Sequence, residues 1–517
     1  MTSIVSARVI HRRDDTTFNW TTLTPSTSLK WTSCYDNYYC SRLSVPLRYS
    51  DPSGKQAAVA LVKLPSSLSP NDKGYKGPVL INPGLRPWSI WCRLGPQIWN
   101  NISEGVVGTQ FDVIGFDPRG VGYTTPPISF FEDSVEAGTF LIQQVQDLNA
   151  SVTSIGRVYV QTTNLNKLAL ERAKVVAQTV TTPTVARDML SIMKAAGQEK
   201  LQYIGYSYGT VLGATFAAMF PDKVGRIALD GVVNSWDYYK GNATSWLLDA
   251  DKCFTSILDA CVQAGPKLCP LYEKCTNLVL ARVNRIVDKL RMTPVPVFNQ
   301  TAFDSGLVDS ATVQKQIFQA LYSPYNEGAA LVAALAALEQ GNGSAIYQGS
   351  FQDQTQQLLE EDTPPQTNGT SASGSETFRA IFCGDKVSDD PGTVDDLREA
   401  YRETLAVTPF FAGIAAAEDT CPGWSIRGDD RFKVIPYYLS ETSLTRLRPW
   451  QGNAFLMSES FKGSVVLTQN SSGHTSPAAK SKCTSKILRA YFANGTLPEK
   501  GTVCQIESSI FGESHSS

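Results

Sequence analysis

The chain has 517 residues, 42% of them hydrophobic and 18% charged, with a formal net charge of −2. This is the make-up of a globular protein able to bury a large core. It implies no basic face, which makes nucleic acid a poor default partner, and its longest apolar run, between Glu327 and Glu339, is too short to cross a bilayer.

The first twenty residues, from Met1 to Trp20, contain no apolar stretch of signal-peptide length, and 1–30 reads as an N-terminal extension. Strand-like runs follow at Arg42–Leu47, Ala57–Leu64, Pro78–Asn82 and Phe111–Asp117. From Thr184 to Ala196, the residues Val185, Met189, Leu190 and Met193 fall on one helical face, and Gly197 follows as the stop. A strand at Leu201–Gly205, an Ala-rich helix at Thr210–Phe220 and a strand at Arg226–Leu229 come next. Strands alternating with helices predict an α/β protein with a mostly parallel central sheet over 31–245. Residues 246–420 are helical in composition and read as a cap inserted into that sheet domain. The polar stretch Gln352–Glu376 within them reads as a surface loop. The core resumes over 421–517, with strands expected at Val434–Leu439 and Ser464–Thr468 and a last helix at Pro477–Phe492.

Eleven cysteines and nine Asn-x-Ser/Thr sequons, from Asn19 to Asn494, suggest a secretory origin. The cysteines cluster locally as Cys34 with Cys40, Cys253 through Cys275, and Cys483 with Cys504. The odd count leaves at least one thiol unpaired within the chain. A cytosolic protein that keeps the cysteines of a secreted ancestor is the competing reading, so the compartment stays open. Cys253, Cys261, Cys269 and Cys275 lack the spacing of a zinc site, and no phosphate or dinucleotide loop follows a first strand. Neither a metal nor a cofactor is expected. The expected partner is a small-molecule substrate, and the oligomeric state is left undetermined.

The chemistry centres on Gly205-Tyr206-Ser207-Tyr208-Gly209. G-x-S-x-G alone is a weak pattern, but here it follows a strand and opens a helix, as a nucleophile elbow requires. A hydroxyl nucleophile needs a base. Of the three histidines, His11 and His515 lie near the chain ends, whereas His474 follows the late strand run, where an α/β hydrolase places its histidine. Asp117-Pro-Arg119 reads as a brace for its turn, not as catalytic machinery.

These segments, with Leu229-Asp230-Gly-Val232, Ile381-Phe-Cys-Gly-Asp385 and Gly463–His474, together resemble the tripeptidyl aminopeptidase family of α/β hydrolases. The resemblance runs from about Phe18 to Cys504 and includes the family's TAP-like C-terminal segment. It implies an α/β-hydrolase fold and serine chemistry, in proteins that are typically secreted exopeptidases or related hydrolases, many of them fungal. Two departures stand out. Where the family's oxyanion loop is Gly-rich, this chain reads Asn82-Pro83-Gly84-Leu85-Arg86-Pro87-Trp88. Backbone amides of Tyr208 and Leu85 remain the expected oxyanion donors. Bulky residues there disfavour a peptide and favour a flat or apolar substrate against Trp88, Trp91 and Tyr206, although the tryptophans equally suit packing under the cap. Where the family carries its acid, Tyr437–Pro449 holds no aspartate, and the position maps near Thr445 or Arg446. Loss of the acid from a true triad costs roughly 10⁴-fold in rate. Asp230 and, behind it, Glu441 are the substitutes, although the family keeps an Asp-Gly-Val beside its usual acid, which gives Asp230 a structural reading as well.

Three functions are therefore carried forward. The first is a serine hydrolase acting on an ester, lactone or amide through Ser207 and His474, with a setting in specialised (secondary) metabolism. The second is a repurposed fold catalysing a cyclisation, isomerisation or elimination in natural-product biosynthesis. The third is a ligand-binding protein without catalysis.

Overall fold

The computed structural model describes residues 18–35, 37–84, 99–299, 304–350, 374–418, 421–434 and 452–512. Among the described residues, seven strands form the central sheet: β1 (Thr32–Cys34), β2 (Tyr38–Arg48), β3 (Asp51–Leu64), β4 (Pro78–Asn82), β5 (Asp112–Phe116), β6 (Leu201–Tyr206) and β7 (Val224–Asp230), in the spatial order β1-β2-β3-β5-β4-β6-β7. β5, β4, β6 and β7 run parallel, and β1, β2 and β3 extend the sheet antiparallel. Every residue of β4 and β6 is buried. Parallel strands covered on both faces have no solvent side on which to alternate, which is why these runs are mostly apolar, with Asn82 and Gln202 as the buried polar exceptions. The Cys34–Cys40 disulfide ties β1 to β2.

Two helices position the site. α1 (Thr182–Ala195) buries Val185, Met189, Ile192 and Met193. α2 (Tyr208–Met219) is buried along its first nine residues and packs beside α1. The turn after β5 is braced as expected. Arg119 makes a bidentate ion pair with Asp188 of α1 at 2.7 and 2.8 Å and also donates to the carbonyls of Leu47 and Pro46. Both side chains are almost fully buried, so removing one partner would strand the other at a cost of about 3–5 kcal/mol.

The cap contains α3 (Ala250–Ala264), α4 (Thr276–Met292), α5 (Ser310–Ala320) and α6 (Pro324–Glu339). These helices enclose a second hydrophobic core that includes Ile257, Leu258, Val283, Ile317 and Leu335. The expected helical make-up is interrupted by an antiparallel hairpin, β8 (Val295–Asn299) with β9 (Asp304–Val308). Cys261 pairs with Cys269, whereas Cys253 and Cys275 form no disulfide among the described residues. α7 (Gly374–Asp385) returns to the sheet core, where Ala380, Ile381 and Phe382 are buried, and Cys383 bonds to Cys421.

The C-terminal part departs from expectation in two places. Ser464–Thr468 forms no strand of the sheet, and Thr468–Gln469 (β10) pairs instead with Val503–Cys504 (β11). The strand expected at Val434–Leu439 lies outside the described residues except for Val434. The last helix, α8, spans Lys482–Asn494, because Pro477 sits in a separate 3-10 turn, Ser476–Ala478. The Cys483–Cys504 disulfide joins α8 to β11. Among the described residues, no helix is long and apolar enough to cross a membrane.

Candidate active site

Ser207 occupies the single residue between the end of β6 and the start of α2, with φ 57° and ψ −124°. A non-glycine residue in this region of backbone space is strained, and such strain concentrates at functional turns. The glycines two residues to either side make the turn possible. A methyl group added at Gly205 would collide with the carbonyl of Gly209, and one at Gly209 would collide with the carbonyl of Asn82. The G-x-S-x-G spacing is therefore the steric signature of a strand end, a helix start and the neighbouring β4 meeting at one point. Gly84, at φ +107°, completes the approach: a methyl group there would lie 2.9 Å from Ser207 Cβ and 3.3 Å from its Oγ. The Asn82 side chain holds this turn by accepting the Gly84 amide at 2.9 Å.

Behind the hydroxyl, α2 begins with Tyr208, so the positive end of the helix faces the position where negative charge would develop. The Ser207 N–H donates to the carbonyl of Asp230 at 3.0 Å, and the Thr210 N–H donates to the carbonyl of Ser207 at 2.8 Å.

His474 is built differently. Its neighbours Gly473 and Thr475 both have positive φ, 105° and 70°, so the backbone is sharply turned on each side of the imidazole. The His474 N–H donates to the carbonyl of Tyr322 at 3.2 Å, and its ring lies 4.8 Å from the Tyr322 ring. The Ser472 N–H donates to the Tyr325 hydroxyl at 3.2 Å. Tyr322 follows α5 and Tyr325 lies in the first turn of α6, so cap residues hold the histidine segment.

Asp230 links the two sides. Its backbone carbonyl takes the Ser207 amide, while its carboxylate accepts the Ser476 N–H at 3.0 Å to each oxygen and the Ser476 hydroxyl at 2.5 Å. Desolvation by the surrounding protein pushes this carboxyl up from the ordinary aspartate range, and the Ser476 hydrogen bonds oppose that. Thr475 and the Ser207 amide also approach each other at Gly231: a methyl group there would lie 2.6 Å from Thr475 Cγ2 and 3.7 Å from the Ser207 nitrogen.

Tyr206, Ser207, Tyr208, Asp230 and His474 all line one cleft. Tyr206 is 7% exposed and also belongs to a hydrophobic core cluster, so its ring serves packing as well as the cleft wall. Leu85, Trp88, Trp91, Glu441, Thr445 and Arg446 lie outside the described residues, as do His11 and His515. Among the described residues, no cluster of His, Cys, Asp or Glu suited to a metal ion forms. Tyr322, Tyr325 and Ser476 escaped the sequence reading. Ser476 lies two residues beyond His474 and was open to suspicion, but no local pattern marks the two cap tyrosines.

Comparison with known proteins agrees with the fold. Residues 77–252 match the model described as alpha/beta hydrolase fold, and residues 449–504 match the model described as TAP-like protein. The chain is 27% identical over 503 residues to "Serine protease Hip1" of Mycobacterium tuberculosis, covering 92% of this chain and 91% of that protein. It is 25% identical to "Carboxylesterase B" of the same species, covering 90% of this chain and 86% of that protein. It is 32% identical over 222 residues to the "Tripeptidyl aminopeptidase" of Streptomyces lividans, covering 42% of this chain and 38% of that protein.

Proposed function

The chain is a divergent TAP-like α/β hydrolase, and on that premise we propose that Ser207 is its acylated nucleophile and His474 the base that serves it. Ser207 Oγ attacks the acyl carbon of an ester, lactone or amide while His474 takes the hydroxyl proton. The backbone amides of Tyr208 and Leu85 hold the oxyanion. His474 then returns the proton to the departing alcohol or amine, and water repeats the sequence to free the acid. Asp230 supports the histidine from the loop side, through Ser476, rather than from the position where the family keeps its acid.

The observation that carries this reading is the shared cleft. A strained serine at a helix start and a histidine on a twice-bent segment both line it, and Asp230 bonds to the elbow and the histidine segment at once. A small acyl substrate is favoured over a peptide because Leu85-Arg86-Pro87-Trp88 replaces the small residues that let a peptide backbone approach. The name of the carboxylesterase relative fits this preference, whereas the protease and aminopeptidase names favour the peptide.

Fluorophosphonate labelling tests the proposal. Wild-type protein should be labelled at Ser207, and Ser207→Ala should not be labelled. Wild-type protein as inert as the variant would sink the hydrolase reading. A Ser207→Ala protein that still converts the true substrate would move the chain to cyclisation, isomerisation or elimination.

We also read the chain as one matured in an oxidising compartment. The four disulfides among the described residues support this, as do the exposed sequon asparagines Asn19, Asn101, Asn149, Asn342, Asn470 and Asn494. Protein isolated from its native cells should lose mass on treatment with peptide-N-glycosidase, and unchanged mass would count against glycosylation.

A further inference from the structure

We infer that Asp385 is a positioning residue for the oxyanion amide of Tyr208, acting through the hydroxyl of Thr182. The inference rests on the reading of Ser207 as nucleophile and extends it to a residue remote from the cleft.

Asp385 ends α7 and is fully buried. One carboxylate oxygen accepts the Thr182 N–H at 2.8 Å, which caps the start of α1. The other accepts the hydroxyls of Thr182 and Tyr238, the latter at 2.8 Å. A threonine hydroxyl has a single proton, and Thr182 gives it to the carboxylate. Its remaining capacity is to accept, and the Tyr208 hydroxyl lies 2.7 Å away. The direction of the chain follows: Tyr208 O–H donates to Thr182, and Thr182 O–H donates to Asp385. Tyr208, Thr182, Tyr238 and Asp385 are each 4% exposed or less, so the ends of α1, α2 and α7 are joined where water scarcely competes.

Tyr208 is the residue after the nucleophile, and its amide opens α2. Its ring has its polar end tied to Thr182 and its body packed in the core, so the residue cannot turn without breaking the network. A cap for α1 alone would need one acceptor for one amide. Here a buried carboxylate, costly to desolvate, is retained with two more donors, and one of them leads directly to the elbow. The Cys383–Cys421 disulfide, two residues before Asp385, anchors the end of α7 that bears the carboxylate.

The test measures how fast a fluorophosphonate inactivates the full-length wild type, Tyr208→Phe, Asp385→Asn and Asp385→Ala, at a temperature where circular dichroism shows each to be folded. Tyr208→Phe and Asp385→Ala should lower kinact by about 10- to 100-fold with KI little changed, since a displaced donor weakens the transition state and not the first encounter. A boronic acid, whose tetrahedral serine adduct uses the same donor, should lose affinity by a similar factor. Asp385→Asn keeps an acceptor for Thr182 and should recover part of the rate. A role confined to stability would lower the melting temperature and leave kinact and the boronic acid affinity at wild-type values, and that result would overturn the inference. If Asp385→Ala does not fold, Tyr208→Phe, which removes one hydroxyl, decides alone. Wild-type protein that is not labelled at Ser207 would instead defeat the nucleophile reading, so the two failures are distinguishable.

Discussion

The two sides of the cleft are built by different means. The elbow is local: β6, Ser207 and α2 are contiguous, and its main constraints come from Gly205, Gly209 and the adjacent end of β4. The histidine segment is assembled from a distance. It bonds to Tyr322 and Tyr325 of the cap and, through Ser476, to Asp230, 246 residues away in the chain. A site built this way has one rigid half and one half whose placement depends on how the cap sits. That contrast separates changes at the Ser207 turn from changes at the His474 segment.

The sharpest way to break the comparison is at the elbow. Gly209→Ala places a methyl group against the Asn82 carbonyl and should cost about 3 kcal/mol in chemical denaturation, together with loss of fluorophosphonate labelling. A stable, fully labelled variant would show that the elbow tolerates what its geometry forbids. On the histidine side, Asp230→Ala releases both Ser476 donors, and the labelling rate should fall by about 10- to 100-fold in a protein that still folds. An unchanged rate would mean that the cap alone holds His474.

The third prediction concerns acid. Asp385 is pushed up to about 7 from 3.8 by burial, against the hydrogen bonds of Thr182 and Tyr238 and beside the buried Tyr208 and Tyr239. The folded chain then binds this proton more tightly than the unfolded chain does. Its contribution to stability is fully present below the unfolded value and is lost as pH rises through about 7. Asp385→Asn has no such slope, so its melting temperature relative to wild type should climb between pH 4 and pH 7.5. A constant difference across that range would show that Asp385 does not titrate there. The smallest effect is expected from Tyr325→Phe, which removes one acceptor from the Ser472 amide and should cost about 0.5–1.5 kcal/mol. A larger loss of labelling than of stability would show that this single cap contact sets the histidine's position.

The same contrast explains what could be read in advance. β4 was expected at Pro78–Asn82 and forms there, because a short apolar run bounded by turn residues has little choice once both faces are covered. The disulfides of shorter span, Cys34–Cys40, Cys261–Cys269 and Cys483–Cys504, join cysteines that cluster in the sequence. Cys383–Cys421 spans 38 residues and had no such signal. The strand expected at Ser464–Thr468 failed for the related reason that strand propensity names a segment and not its partner.

By itself, then, the amino-acid order marked the elbow and the parallel strands around it, since the Gly205–Gly209 clash and the apolar runs are local features, although Gly209 and Gly84 owe their need for a small residue to the meeting of β4 with the turn. Tertiary structure alone decided which cap residues face the imidazole segment, that Asp230 reaches it through Ser476, and how the Asp385 carboxylate at the end of α7 is linked to Tyr208. Those relations join groups some 150 to 250 residues apart, and only the packing of cap, sheet and helix ends brings them within hydrogen-bonding distance.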